Sequence, residues 1–268
     1  MISYIVCSNI RTGSNLLCRS LEGVGGLGEP TEHFLPSTLE ALGLTNDPDG
    51  LVDYCHGLSS TGSAGSSVLA TKLHWYQLDH LLTQTQMATQ AAGRSGADLM
   101  HFLFPDARLV FLWRQDTAAQ AVSVMMADAT GAWERRVDDA ETEPRAAPPK
   151  PGLVTYLKLN DWQIHLERQN DAWRSFFEQH SLAPLEVVYE DMVADFAPTV
   201  QRTVQHIAPD ALVPADVAMP NRRANRVETD ALLNAYRSVP QPVLKLLRPP
   251  YLARRKLRAF AAGRKPQR

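Results

Sequence analysis

Apolar positions along the chain follow two rhythms. Four short runs, Tyr4 to Cys7, Val68 to Ala70, Leu109 to Trp113 and Leu185 to Tyr189, are rich in Val, Leu, Ile and aromatic residues. Their apolar character is continuous rather than alternating, which suits strands of a parallel sheet covered on both faces. Between them, apolar residues recur at spacings of three and four: Leu16, Leu17 and Leu21; Leu78, Leu81 and Leu82; Ala118, Ala121, Val122 and Met125. Each set marks one buried helix face. A longer helical stretch, Leu153 to Phe177, carries Leu159, Ile164, Leu166, Trp173, Phe176 and Phe177 for packing against the sheet. Alternating strands and helices predict an α/β fold: a central parallel β-sheet flanked by helices, with right-handed crossovers and a ligand crevice at the carboxyl ends of the strands.

Two stretches break the rhythm. "SSTGSAGSS" (Ser59 to Ser67) is rich in Gly and Ser, and "DDAETEPRAAPPKPG" (Asp138 to Gly152) is charged and proline-rich. They predict loop insertions near 45–67 and 128–152, serving either as lids or as plain surface excursions. The 268 residues, 44% hydrophobic and 21% charged, are enough for a substantial core, and residues 1–268 are read as one domain. A formal charge of -2 argues against nucleic acid as a partner. The three cysteines, Cys7, Cys18 and Cys55, have neither disulfide-framework nor zinc-ligand spacing. The chain opens directly on strand-like sequence and has no membrane-length apolar run, so the expected location is cytoplasmic. Its final segment, 245–268, holds nine Lys/Arg and no acids among Leu246, Leu247, Tyr251, Leu252, Leu257 and Phe260. Such a segment suits either peripheral contact with an anionic membrane or a helix packed on the body with a basic end.

The candidate chemistry starts right after the first run, in "SNIRTGSNLL" (Ser8 to Leu17). A helix starting near Thr12 to Asn15 points unpaired amides, and the positive end of its dipole, at any anion over the turn. Gly13 lets the backbone approach, Thr12, Ser14 and Asn15 can donate hydrogen bonds, and Arg11 adds a guanidinium fork for phosphate or sulfate oxygens. Ser and Thr there also suit simple helix capping. The loop is not Walker A, since the required Gly-Lys-Ser or Gly-Lys-Thr is missing. "LVFLWRQDTAAQAVS" places Arg114 at the carboxyl end of the third strand and Ser123 on the following helix, with Asp116 placed to cap that helix. Two anion sites on neighbouring strand ends suggest a doubly phosphorylated nucleotide. Lys72, in "TKLHW", is another strand-end cation aimed at the crevice. Tyr189, ending the fourth strand, suits either adenine stacking or core packing.

These residues resemble the sulfotransferases that use 3′-phosphoadenosine 5′-phosphosulfate (PAPS), within the P-loop NTPase-like sulfotransferase fold. The closer resemblance is to bacterial carbohydrate sulfotransferases of the trehalose 2-sulfotransferase type. It runs through "YIVCSNIRTGSNLL", "GVGGLGEPTEHF", "TKLHW", "RQDTAAQAVS", Trp173 to Phe177 and "VVYEDM". It implies that Arg11 and the amides of Thr12, Gly13, Ser14, Asn15 and Leu16 hold the phosphosulfate, with Arg11 steadying the leaving phosphate. Arg114 and Ser123, nine residues apart, match the family's pair for the 3′-phosphate. Arg222, in "NRRANR", falls in the late basic loop that closes the nucleotide site. Glu32, in "GEPTEHF", matches the family's base, and His33 is the rival for that role. Glu29 would reach sugar hydroxyls if the segment is helical from Pro30, and Lys72 would assist the leaving group or meet the acceptor. His74, between Leu73 and Trp75, departs from the family's pattern and reads as structural, with a changed acceptor-side wall.

The resemblance thus implies transfer of the sulfuryl group from PAPS to a hydroxyl of a carbohydrate or glycolipid, giving PAP and a sulfate ester, without a metal. Related enzymes form dimers, and the resemblance leaves the oligomeric state open between a monomer and a homodimer. Two other readings stay open: a P-loop nucleotide kinase or NTPase with a divergent loop, which requires magnesium and ATP, and a non-catalytic nucleotide-binding module. A glycosidase built on Glu29 and Glu32 leaves Arg11, Ser14 and Arg114 without a purpose.

Overall fold

The computed structural model describes residues 2–61, 68–131, 133, 147–212, 217, 219 and 226–261. In chain order these form β1 (Ile2–Ser8), α1 (Ser14–Val24), α2 (Pro36–Ala41), α3 (Pro48–Thr61), β2 (Val68–His74), α4 (Trp75–Thr85), α5 (Gly96–Leu103), β3 (Arg108–Trp113) and α6 (Thr117–Thr130). There follow α7 (Leu153–Gln179), β4 (Leu185–Val188), α8 (Tyr189–Ala194), α9 (Phe196–Ile207), α10 (Arg226–Arg237) and α11 (Gln241–Ala261). Two compact units divide them: Met1–Gln115 with Arg168–Asn221, and Asp116–Glu167 with Arg222–Arg268.

The first unit holds the sheet, in the order β2-β1-β3-β4 with every pairing parallel. Successive side chains of β1 alternate between its faces. Ile5 and Cys7 pack with Leu51, Val52 and Cys55 of α3, Leu78 and Leu81 of α4, and Trp173, Phe176 and Phe177 of α7. Tyr4 and Val6 pack with Leu16, Leu17 and Leu21 of α1 and Val200, Val204 and Ile207 of α9. Both faces are therefore apolar, which is why the strands carry uninterrupted runs. The three cysteines are buried and form no disulfide, and burial pushes the Cys7 and Cys55 thiols far above their usual range, so neither is a reactive thiolate at neutral pH.

Several boundaries differ from expectation. β2 continues through Thr71, Lys72 and His74, whose polar side chains hid its end. β4 stops at Val188, and Tyr189 opens α8. The segment from Pro30 is not helical: Thr31 bridges Thr71 as extended backbone, Lys72 N donates to Thr31 O at 2.9 Å, and helix resumes only at Pro36. A helix, α3, fills 48–61 of the insertion expected near 45–67, while 62–67, 132 and 134–146 of the two irregular stretches lie outside the described residues.

In the second unit, Asp116 caps α6, accepting from Ala119 N at 3.0 Å, and also receives Arg237 of α10 at 2.6 Å. Tyr236 donates to Gln163 Oε1 at 2.8 Å, and Arg248 of α11 pairs with Asp161 at 2.7 Å. Of the basic end, α11 reaches Ala261 and 262–268 lie outside the described residues. Among the described residues no helix is long and apolar enough to cross a membrane.

Candidate active site

Because β1 pairs with β2 on one side and β3 on the other, the loop after it sits at the point where the strand order reverses, where open parallel sheets bind ligands. The loop is braced from below. Asn9, fully buried, donates from Nδ2 to Asn170 Oδ1 at 2.8 Å, and Thr12 Oγ1 donates to Asn9 O at 2.9 Å. The Thr12 hydroxyl is thus used to shape the loop, leaving its backbone for a ligand. Arg11 and Gly13 both take left-handed backbone, at φ 61° and 85°. A Cβ on Gly13 would lie 2.5 Å from Tyr189 Cδ2, so only glycine fits there. Leu17 N donates to Gly13 O at 3.1 Å, which leaves the amides of Ser14, Asn15 and Leu16 without a carbonyl inside α1. The candidate anion site read from the sequence falls on that first turn.

The second part of the site is a row of charged and polar groups beside α1. Lys72 Nζ donates to Asn15 Oδ1 in the first turn of α1 and pairs with Glu32 Oε1 at 2.8 Å. Gln77 Oε1 accepts from His74 N at 2.8 Å, which turns its amide Nε2 toward Glu32 Oε2 at 3.0 Å. His74 Nε2 lies 3.7 Å from the same oxygen. Burial pushes the Glu32 carboxyl up, but the charges of His74, when protonated, and of Lys72 outweigh it. Together with hydrogen bonds from Lys72 and Gln77, they hold the carboxyl below its usual range. Glu32 is therefore ionised at neutral pH, half-buried, and one lysine away from the anion loop.

His33 turns the other way, with Nε2 3.1 Å from Thr31 Oγ1 and Nδ1 3.4 Å from Tyr54 Oη. Burial lowers its pKa against an opposing backbone hydrogen bond at Ala70. Glu29 is exposed and, with no helix from Pro30, is not carried round to Glu32. Arg114 follows β3 as expected and is 12% exposed, its guanidinium 4.7 Å above the Tyr189 ring and its Nε 3.5 Å from Glu190 Oε1. That Nε has no hydrogen-bond partner among the described residues. Tyr189 sits between Arg114 and Gly13 and packs against the apolar cluster on the α1 and α9 face of the sheet, as the core-packing reading expects. Ser123 lies in α6, in the second unit, and Arg222 falls outside the described residues.

Sequence reasoning missed Gln77, Glu190 and the Asn9 and Asn170 brace. The one available signal was Gln77 three residues after a strand end, the spacing at which a side chain turns back on the start of its own helix. Among the described residues, no group of three or more His, Cys, Asp or Glu is arranged to hold a metal ion.

The family model described as Stf0 sulphotransferase matches residues 3–238. The chain is 28% identical over 263 residues to a trehalose 2-sulfotransferase of Mycobacterium tuberculosis, covering 88% of this chain and 94% of that one. To a trehalose 2-sulfotransferase of Mycolicibacterium smegmatis it is 26% identical over 239 residues, covering 78% and 85%.

Proposed function

The chain belongs to the Stf0 sulphotransferase family and is a sulfotransferase; from this premise we propose that it moves the sulfuryl group of PAPS to a hydroxyl of a carbohydrate, free or as the head group of a glycolipid. The products are PAP and a sulfate ester. The carbohydrate acceptor is suggested by the activity named for its two relatives.

One observation carries the reading: Lys72 bridges Asn15, in the first turn of α1, and the Glu32 carboxylate. An anion site and a candidate base share one cation, as a transfer between a phosphosulfate and a hydroxyl requires. The residues fit the donor's two charged ends. The amides of Ser14 to Leu16 are disposed for the phosphosulfate, with Arg11 joining them by resemblance, and Arg114, beside Glu190, keeps a buried Nε donor without a hydrogen-bond partner for the 3′-phosphate. Ser123 and Arg222 complete this reading by resemblance. When bound, PAPS supplies an activated sulfuryl group with a phosphate leaving group.

Glu32 is the base in this account. It takes the proton as the acceptor O–H bond breaks and the oxygen's electron pair forms the new S–O bond, while the S–O bond to the donor phosphate breaks. Lys72 balances the carboxylate beforehand and is left, once Glu32 is neutral, to face the leaving phosphate. His33, hydrogen-bonded away from this row, lines the acceptor side.

Calorimetry tests the donor: PAP binds without metal and ATP with magnesium does not. Magnesium-dependent ATP binding without PAP binding would favour the kinase reading instead. Glu32→Gln should keep PAP affinity and lose about 10²–10⁴-fold in turnover. Retained turnover there, with loss in His33→Ala, would reverse the assignment of the base.

A further inference from the structure

Behind the Glu32 carboxylate lies a buried group that the transfer chemistry leaves unused. His74, the last residue of β2, is 4% exposed. Its Nδ1 is 3.1 Å from Ser8 Oγ, and its Nε2 faces Glu32 Oε2 at 3.7 Å. Ser8 and His74 are register partners at the ends of adjacent strands, so two paired strands fix this contact. Exposure falls along the row, from 21% for the Glu32 side chain to 5% for that of His74 and zero for Ser8. No substrate reaches Ser8, which excludes it as a nucleophile. What the row reproduces is the supporting half of a catalytic triad: a base at the mouth, an orienting group behind it, and a hydroxyl bracing that group.

A neutral imidazole carries one N–H and one lone pair, and its partners select which nitrogen holds the proton. The carboxylate favours the proton on Nε2, against the pull of a backbone hydrogen bond at Ser8, and with the proton there Ser8 Oγ donates to Nδ1. At 3.7 Å the Nε2–H is an oriented dipole rather than a hydrogen bond, adding to the direct bond from Gln77 on the same oxygen. The titratable groups facing the ring are Glu32 from the extended segment, Lys72 from β2 and Tyr76 from α4, with neutral Ser8 and Gln77 completing the surround. Burial keeps the ring neutral at neutral pH, lowering its pKa to about 4 against the pull of Glu32.

We propose that His74, braced by Ser8, is a positioning residue that keeps Glu32 ionised and turned toward the acceptor hydroxyl. The proposal rests on the reading of Glu32 as the base.

The test is the pH profile of kcat in the full-length protein, with PAP affinity measured by calorimetry. His74→Leu puts hydrocarbon against the carboxylate, so the acid limb moves to higher pH and kcat drops on the order of tenfold, with PAP affinity little changed. His74→Gln, which retains an amide N–H, returns the limb toward wild type. Ser8→Ala shifts it in the same direction as His74→Leu, by less. An unmoved acid limb in His74→Leu overturns the proposal, whether kcat is unchanged or falls together with PAP affinity and Tm. Glu32→Gln measured alongside separates the two claims. Retained turnover there overturns the base assignment and this proposal with it, whereas lost turnover there with an unmoved limb in His74→Leu overturns only this proposal.

Discussion

Lys72 donates to Asn15 and pairs with Glu32, and removing it tests both contacts together. Lys72→Met leaves a half-buried carboxylate without its cation. Breaking a fully buried pair costs about 3–5 kcal/mol. Glu32 keeps some contact with water, so a loss of about 2–3 kcal/mol in urea unfolding is expected. Lys72→Met with Glu32→Gln should recover part of that loss, because the unpaired charge is then absent. Strictly additive losses would mean that the two side chains do not interact. Glu32 came forward from the sequence through the resemblance carried by "GEPTEHF", and Lys72 as a strand-end cation; their pairing is what the structure adds. Gln77 and Ser8 did not, since a glutamine in a first helical turn and a serine ending a strand look like ordinary surface positions. The register of β1 on β2 turns Ser8 toward His74, and the bond from His74 N holds Gln77 in place.

At the level of elements, the turn between β1 and α1 depends on Gly13. Its positive φ and its approach to Tyr189 are both incompatible with a side chain. Gly13→Ala should cost about 1–3 kcal/mol and weaken PAP binding, as calorimetry and thermal unfolding would show. In the other unit, Asp116→Ala removes the α6 cap and the Arg237 ion pair, with an expected loss of about 1 kcal/mol, mainly from the cap. Asp116 was read as a cap from sequence, and the structure agrees. β1 and β3 were readable because apolar packing on both faces leaves a nearly unbroken run, and β4 through Leu185, Val187 and Val188 around the exposed Glu186. The far half of β2 was not, since Thr71, Lys72 and His74 are spent on the site. Nor was the bridge at Thr31, because a single paired residue has no periodicity to read.

For the molecule as a whole, the buried histidines set a pH window for stability. His74 titrates near 4 in the folded chain, and His33 is also lowered, whereas an unfolded histidine titrates near about 6.5. As pH falls from that value toward 4, the unfolded state takes up protons that the folded state refuses, so stability declines across this window. His74→Gln should flatten that decline, seen as a smaller difference in urea midpoint between the two ends of the window. The α/β architecture, its parallel sheet and the turn from β1 into α1 were visible in the hydrophobic pattern. The division into two compact units was not, because it depends on which helices pair at long range. The measurement closest to the central claim is mass spectrometry of a panel of carbohydrates, trehalose among them, incubated with the protein and PAPS. The account predicts that one acceptor gains a single sulfuryl group with PAP released in equal amount, and that Glu32→Gln abolishes the gain. PAP binding with no acceptor modified, or an equal gain with Glu32→Gln, would contradict it.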